Sequence, residues 1–201
     1  YQRMSVACEL EQTGRRGRGH RSAFRKRRGR RGECGEEHDR CDRRLQVEHD
    51  IEVATAYIGL GSNLGDREAT LRRALARLNA WPGIRVLAVS RFRETEPVGF
   101  TDQPRFVNAV AAVETELEPR PLLEALLAVE QAMGRTREGP RFGPRTIDLD
   151  LLVYEDRIVD EPGLRVPHPR LHERAFVLEP LAELQPGLIV PGQGPLETLT
   201  R

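Results

Sequence analysis

Residues 145–155 read RTIDLDLLVYE, an apolar run interrupted by two aspartates. Residues two apart in an extended chain share a face. Asp148 and Asp150 therefore emerge side by side, and Leu149, Leu151 and Val153 take the opposite face. Neighbouring carboxylates repel unless something cationic sits between them. Mg2+ favours carboxylate oxygen and commonly shares its coordination with substrate phosphates. A strand over 147–154 thus presents two carboxylates suited to such a cation, and the question becomes whether the rest of the chain supplies a phosphate.

Working outward, that strand is the last of a series. VATAYIGL (53–60) is an apolar run ending in glycines and predicts a strand. Leu71, Leu75 and Leu78 recur at helical spacing over 66–80, with Asp66 as N-cap. IRVLAVSRF (84–92) alternates after the breaker WPG and predicts a second strand; FVNAVAAVET (106–115) predicts a third. A helix over 119–133 tolerates Pro121 in its first turn, aligns Leu122, Leu126, Val129 and Met133, and ends at Gly134. RAFVLEPLAEL (174–184) predicts a short third helix interrupted or opened by Pro180. The order β-α-β-β-α-β is that of ferredoxin-like folds. The expected architecture over residues 51–201 is α+β, an antiparallel-rich sheet flanked by helices.

The net charge of +1 hides a split. Residues 1–50 carry 14 Lys+Arg against 9 Asp+Glu, and residues 51–201 carry 18 against 22. Within the first part, GRRGRGHRSAFRKRRGRR (14–31) has ten basic residues and almost nothing apolar, so a disordered, solvated extension is expected there. A charge run alone has little specificity, and no nucleic-acid partner is expected from it. Cys34, His38 and Cys41 lack a nearby fourth ligand and are not read as a zinc site. All three cysteines lie in this first part, which leaves the globular part without disulfides and suits a reducing cytoplasm. No run approaches the ~18 apolar residues of a membrane span, and the N-terminus has no secretory-signal pattern.

GRTREGPRFGPRTIDLD (134–150) places Arg135, Arg137, Arg141 and Arg145 in a Gly/Pro-rich loop that runs into the two aspartates. Guanidinium groups grip phosphate bidentately and stay charged at any physiological pH. Arginines beside metal-holding carboxylates suit a polyphosphate and phosphoryl-type transfer. GLGSNLGD (59–66) follows a strand and opens a helix, but Leu64 stands where a dinucleotide loop needs its third glycine. It is read as a tight glycine turn by which the chain leaves the strand. In RETEPVGFTDQPRFVNAV (93–110), Phe106 and Asn108 share a strand face. Alone, they fit either a stacking platform for a planar heterocycle or a core ring beside a loop-capping amide. In VPHPRLHERAF (166–176), His168 sits between two prolines and is a better candidate than His172.

Four stretches together, RFGPRTIDLDLL (141–152), GLGSNLGD, ETEPVGFTDQPRFVNAV (94–110) and VPHPRLHERAFVLEPL (166–181), resemble the 6-hydroxymethyl-7,8-dihydropterin pyrophosphokinases of folate biosynthesis over about residues 54–195. The resemblance implies transfer of diphosphate from ATP to the hydroxymethyl group of a reduced pterin, with release of AMP. It implies that Asp148 and Asp150 hold two Mg2+ ions, with Arg135 and Arg145 catalytic beside them. Arg137, Arg174, Glu130 and His168 match nucleotide-binding positions, with Arg141 a weaker match. Asn108 and Phe176 match the pterin pocket, where Phe106 replaces a common tyrosine and Thr95, Pro97 and Val98 complete the lining. Phe142 stands where some members have tryptophan. A cytoplasmic monomer is implied, with loops 93–105 and 134–146 that order on ligand binding. The first fifty residues have no counterpart in the family.

Overall fold

Apolar residues fill the two central strands of one sheet, β1 (Ala54–Ser62) and β4 (Phe106–Thr115), and β5 (Asp148–Tyr154), the edge strand beside β1. The computed structural model describes residues 52–135 and 143–199; the N-terminal extension, Arg137, Arg141 and Phe142 lie outside the described residues. The remaining elements are α1 (Arg67–Asn79), β2 (Ile84–Val89), β3 (Arg93–Thr95), α2 (Pro119–Ala132) and the hairpin of β6 (Val159–Glu161) and β7 (Leu164–Val166). A 3-10 turn at Leu171–Glu173 leads into α3 (Ala175–Leu184), followed by β8 (Ile189–Val190), β9 (Gly194–Pro195) and α4 (Leu196–Leu199). The sheet runs β2-β4-β1-β5 with every pairing antiparallel, and β3 also pairs with β4. This is the expected ferredoxin-like α+β arrangement.

Local chemistry sets the helix ends. Asp66 caps α1 by accepting the Ala69 N–H at 3.0 Å, and Leu71, Ala74 and Leu78 form its buried stripe. Gly134 follows α2 with φ of 82°, a conformation that favours glycine. Helix α3 runs on through Pro180.

Two expectations about strands need correction. The predicted strand 84–92 ends at Val89, and a separate short strand, β3, follows it at Arg93–Thr95. A register shift between Val86 and Ala88 bends the edge, and a bulge of this kind increases local twist. Ser90 then takes over the pairing: its N–H donates to Val110 O at 2.9 Å and its hydroxyl accepts the Val110 N–H at 3.0 Å. The chain re-enters the sheet as β3, opposite Phe106, Val107 and Asn108. The second correction concerns Val153. Tyr57 pairs with Val153 but Ile58 pairs with Leu151, so Leu152 is an extra residue in β5. Alternation breaks there. Leu149 and Leu151 do face away from the aspartates, whereas Val153 joins Leu152 in the core on the other side.

The two faces of the sheet have different covers. Ile58, Leu60, Ala109, Ala111, Leu149 and Leu151 pack under Leu71 and Leu78 of α1 and Leu122 and Leu126 of α2. On the opposite face, Val177, Leu178 and Leu181 of α3 cover Tyr57, Val110, Ala112, Leu152 and Val153. Beyond the first turn of α3 that face is open, and both aspartates lie in the open part.

Candidate active site

The floor of the open region follows from strand register. Gly61 lies opposite both Asn108 and Asp148, and Gly59 lies opposite both Val110 and Asp150. Residues directly opposite in a sheet share a face. The glycines therefore sit centrally in β1, between the amide on one neighbouring strand and the carboxylates on the other. This corrects the reading of GLGSNLGD as a turn: only Gly65 has a positive φ, of 62°, while Gly59 and Gly61 belong to the strand. Space is the constraint at Gly61, whereas Gly59 has room for ordinary van der Waals contact. A Cβ on Gly61 would stand 2.8 Å from Asn108 Oδ1, and one on Gly59 would touch Leu152 at 3.4 Å.

Arginines surround the carboxylates. Asp148 Oδ1 pairs with Arg135 at 2.7 Å and its Oδ2 with Arg145 at 2.6 Å; Asp150 Oδ2 pairs with Arg174 at 2.9 Å. Arg135 also pairs with Glu130, which is 2% exposed and accepts the Leu149 N–H at 2.7 Å. Burial is the main influence on the Glu130 carboxyl and pushes it up to about 7, against the pull of the Leu149 N–H and Arg135. Glu130 thus steadies an arginine and the backbone between the aspartates; it does not line the cavity.

The apolar side of the cavity is formed by Thr95, Val98, Phe106, Asn108 and Phe176, with Glu96 in the wall where Pro97 was expected. Asn108 Nδ2 donates to Thr95 Oγ1 at 2.7 Å, which leaves the amide oxygen toward Gly61. Arg174 lies 5.8 Å from the centre of the Phe176 ring, close enough for cation–π attraction. Its guanidinium thus joins the aromatic wall to Asp150.

His168 belongs to a second cavity. That cavity lies between α2 and the β6–β7 hairpin and shares Asp150 with the first; Leu123, Asp160 and Arg165 also line it. Burial lowers the imidazole pKa, with Asp150 opposing. His168 Nδ1 accepts the Arg170 N–H at 3.1 Å, so the neutral ring carries its proton on Nε2. Reading the chain alone missed Gly59, Gly61, Glu96, Arg170 and Glu173 in the first cavity, and Asp160 and Arg165 in the second. Only the glycines had left a signal, their two-residue spacing within a strand.

A family model described as 7,8-dihydro-6-hydroxymethylpterin-pyrophosphokinase (HPPK) matches residues 57–186. The chain belongs to this family. A 2-amino-4-hydroxy-6-hydroxymethyldihydropteridine pyrophosphokinase of Methylorubrum extorquens is 51% identical over 149 residues, covering 74% of this chain and 94% of the relative. The Bacillus subtilis protein of the same description is 50% identical over 129 residues, covering 64% and 77%. A crystal structure of wild-type Plasmodium falciparum HPPK-DHPS with pterin and p-hydroxybenzoate matches with a TM-score of 0.55 and 15% identity. That match covers 74% of this chain and 41% of the longer Plasmodium chain, and it supports the fold alone.

The site of this pyrophosphokinase-family chain can be tested for divalent-metal binding. Among the described residues no cluster of three or more His, Cys, Asp or Glu side chains is formed. Two half-exposed carboxylates on one sheet face do fit a hard cation whose remaining ligands are phosphate oxygens and water. Arg135, Arg145 and Arg174 offset the charge of both carboxylates.

Proposed function

We infer that the chain catalyses the reaction for which its relatives are named. It transfers the terminal diphosphate of ATP to the hydroxymethyl oxygen of 6-hydroxymethyl-7,8-dihydropterin and releases AMP. One observation carries this reading: two carboxylates with three arginine partners share a cavity with two phenylalanine rings and an amide.

The pterin, a flat heterocycle with polar edges, fits between Phe106, Phe176 and Val98, with Asn108 and Thr95 available to its edge. The triphosphate lies along Arg145, Arg135 and Arg174, and the nucleoside enters the cavity lined by Leu123, Arg165 and His168. His168, kept neutral by burial, offers an Nε2–H donor without adding charge. Asp148 and Asp150 would hold two Mg2+ ions, which when bound supply charge neutralisation at the phosphates and lower the cost of deprotonating the hydroxymethyl group.

In the transfer, the hydroxymethyl oxygen forms a bond to the β-phosphorus. The bond from that phosphorus to the α–β bridging oxygen breaks, AMP departs with that oxygen, and the hydroxymethyl proton is lost to solvent. The arginines hold reactants in line and offset charge, which is most of what such a reaction requires of a protein. By resemblance to the family, Arg137 is a further nucleotide-binding residue.

The two cavities of a single chain supply the groups this reaction needs, so a monomer suffices for it. Among the described residues no helix is long and apolar enough to cross a membrane, and a cytoplasmic setting accords with these substrates. Residues 51–201 hold the entire reaction; the first fifty are dispensable to it. The test is AMP release from ATP with and without the pterin, in the full chain, in a form lacking residues 1–50 and in Asp148→Ala. Pterin-dependent AMP release in the first two, and its loss in Asp148→Ala with pterin affinity retained, is the expected result. AMP release indifferent to the pterin, or near-normal turnover by Asp148→Ala, overturns the reading.

A further inference from the structure

Asn63, the residue after β1, is 2% exposed, and four hydrogen bonds converge on it. Two go to one residue: its N–H donates to Arg145 O at 3.1 Å, and its Oδ1 accepts the Arg145 N–H at 2.7 Å. The other two go to a segment about forty residues away in sequence. Nδ2 donates to Gln103 Oε1 at 2.9 Å and to Pro104 O at 3.1 Å. Ser62 reinforces the first connection, its hydroxyl donating to Thr146 O at 2.6 Å.

The two segments border opposite sides of the site. Arg145 carries the guanidinium on Asp148. The chain from Thr95 to Phe106 supplies Thr95, Glu96, Val98 and Phe106 to the apolar wall. Gln103 carries the link further into that segment, because its Nε2 donates to Phe100 O at 2.6 Å. We infer that Asn63 is a positioning residue that couples the phosphate side of the site to the pterin side, so that occupancy of either tightens the other. The inference rests on the functional reading above and deepens it.

The physical basis is the rigidity of a primary amide. Its oxygen and its two N–H groups lie in one plane, and in Asn63 all are engaged. When the segment carrying Arg145 shifts to meet a phosphate, the Arg145 peptide group shifts with it. The amide must follow or leave a buried polar group unpaired, which is costly. Following it, Nδ2 draws on Gln103 and Pro104 and thereby on the wall behind them. Coupling of this kind is reciprocal by thermodynamic necessity. A purely structural role for Asn63 would weaken both ligands and the fold together and leave their mutual effect unchanged.

The test is calorimetric titration of the full chain with 6-hydroxymethyl-7,8-dihydropterin, with and without saturating Mg2+ and a non-hydrolysable ATP analogue, and the converse titration. In the wild type each ligand is expected to strengthen the other by about 10-fold. Asn63→Ala is expected to bring that factor to within about 2-fold of one while the separate affinities are largely kept. Gln103→Ala removes one of the two loop-side bonds and leaves that to Pro104 O, so it should lower the factor to below about 5-fold; it decides the matter if Asn63→Ala does not fold. Independent binding in the wild type, or a wild-type factor in the folded variants, overturns the coupling while leaving the functional reading intact. Failure of the wild type to bind either ligand overturns the functional reading itself, and this inference with it.

Discussion

At the scale of single residues, the site depends as much on a missing side chain as on those present. Asn108 and Asp148 reach over the strand position between them only because Gly61 is there. Gly61→Ala places a methyl group 2.8 Å from Asn108 Oδ1, and the amide has to turn. Turning it breaks the bond from Asn108 Nδ2 to Thr95. The expected outcome is a higher KM for the pterin, with nucleotide affinity and melting temperature little changed, measured by steady-state kinetics and a thermal melt. Proximity in sequence did not forecast this. The face shared by Asp148 and Asp150 follows from the period of a strand, whereas Gly61 meets Asn108 through a register set 47 positions along the chain.

At the scale of elements, α3 has two functions on one short stretch. Its stripe of Val177, Leu178 and Leu181 seals the second core, and its N-cap and first turn bring Arg174 and Phe176 to the rim of the cavity. Ion pairs from Arg93 to Glu179 at 2.6 Å and to Glu183 at 3.2 Å lie across its outer side. Such exposed pairs contribute little, on the order of 0–1 kcal/mol. Burial decides instead. Leu181→Ala empties a fully buried position and is expected to cost about 2–5 kcal/mol. Loss of the α1 cap in Asp66→Ala is expected to cost only about 1 kcal/mol. Urea denaturation of both variants checks the ranking. The elements themselves were largely legible: α1 with its cap, α2 with its stripe and β4 with its ends match their patterns. The bulges in β2 and β5 were not, because each is defined by the pairing with a neighbouring strand, and an apolar run such as Leu151-Leu152-Val153 fits more than one register.

At the scale of the whole molecule, the sheet is sealed on one face by α1 and α2 and only partly covered on the other by α3. The site occupies what is left open. One cost of this arrangement is global: Glu130 lies in the sealed face, where α2 meets β5, and its carboxyl is raised from 4.5 to about 7, chiefly by burial. The native state then holds a proton that the unfolded chain releases near the ordinary value, so stability is full below about 4.5 and falls as pH rises toward 7. At about 1.4 kcal/mol per unit the loss approaches roughly 3 kcal/mol. Glu130→Gln should remove that contribution. The difference in unfolding free energy between variant and wild type, measured without ligands, is expected to move in favour of the variant between pH 4.5 and 7. A difference constant over that range would refute the assignment.

The order of strands and helices, the caps and stripes, and the pairing of two carboxylates on one face all come from interactions within a few residues, so the sequence by itself determined them. Tertiary structure alone decided that Gly59 and Gly61 form a floor, that Val153 changes sides, that His168 enters a neighbouring cavity, and that Asn63 joins two loops. Each of these depends on which strand lies beside which and in what register. That is fixed by burying both faces of the sheet at once, a condition no single segment of the chain expresses.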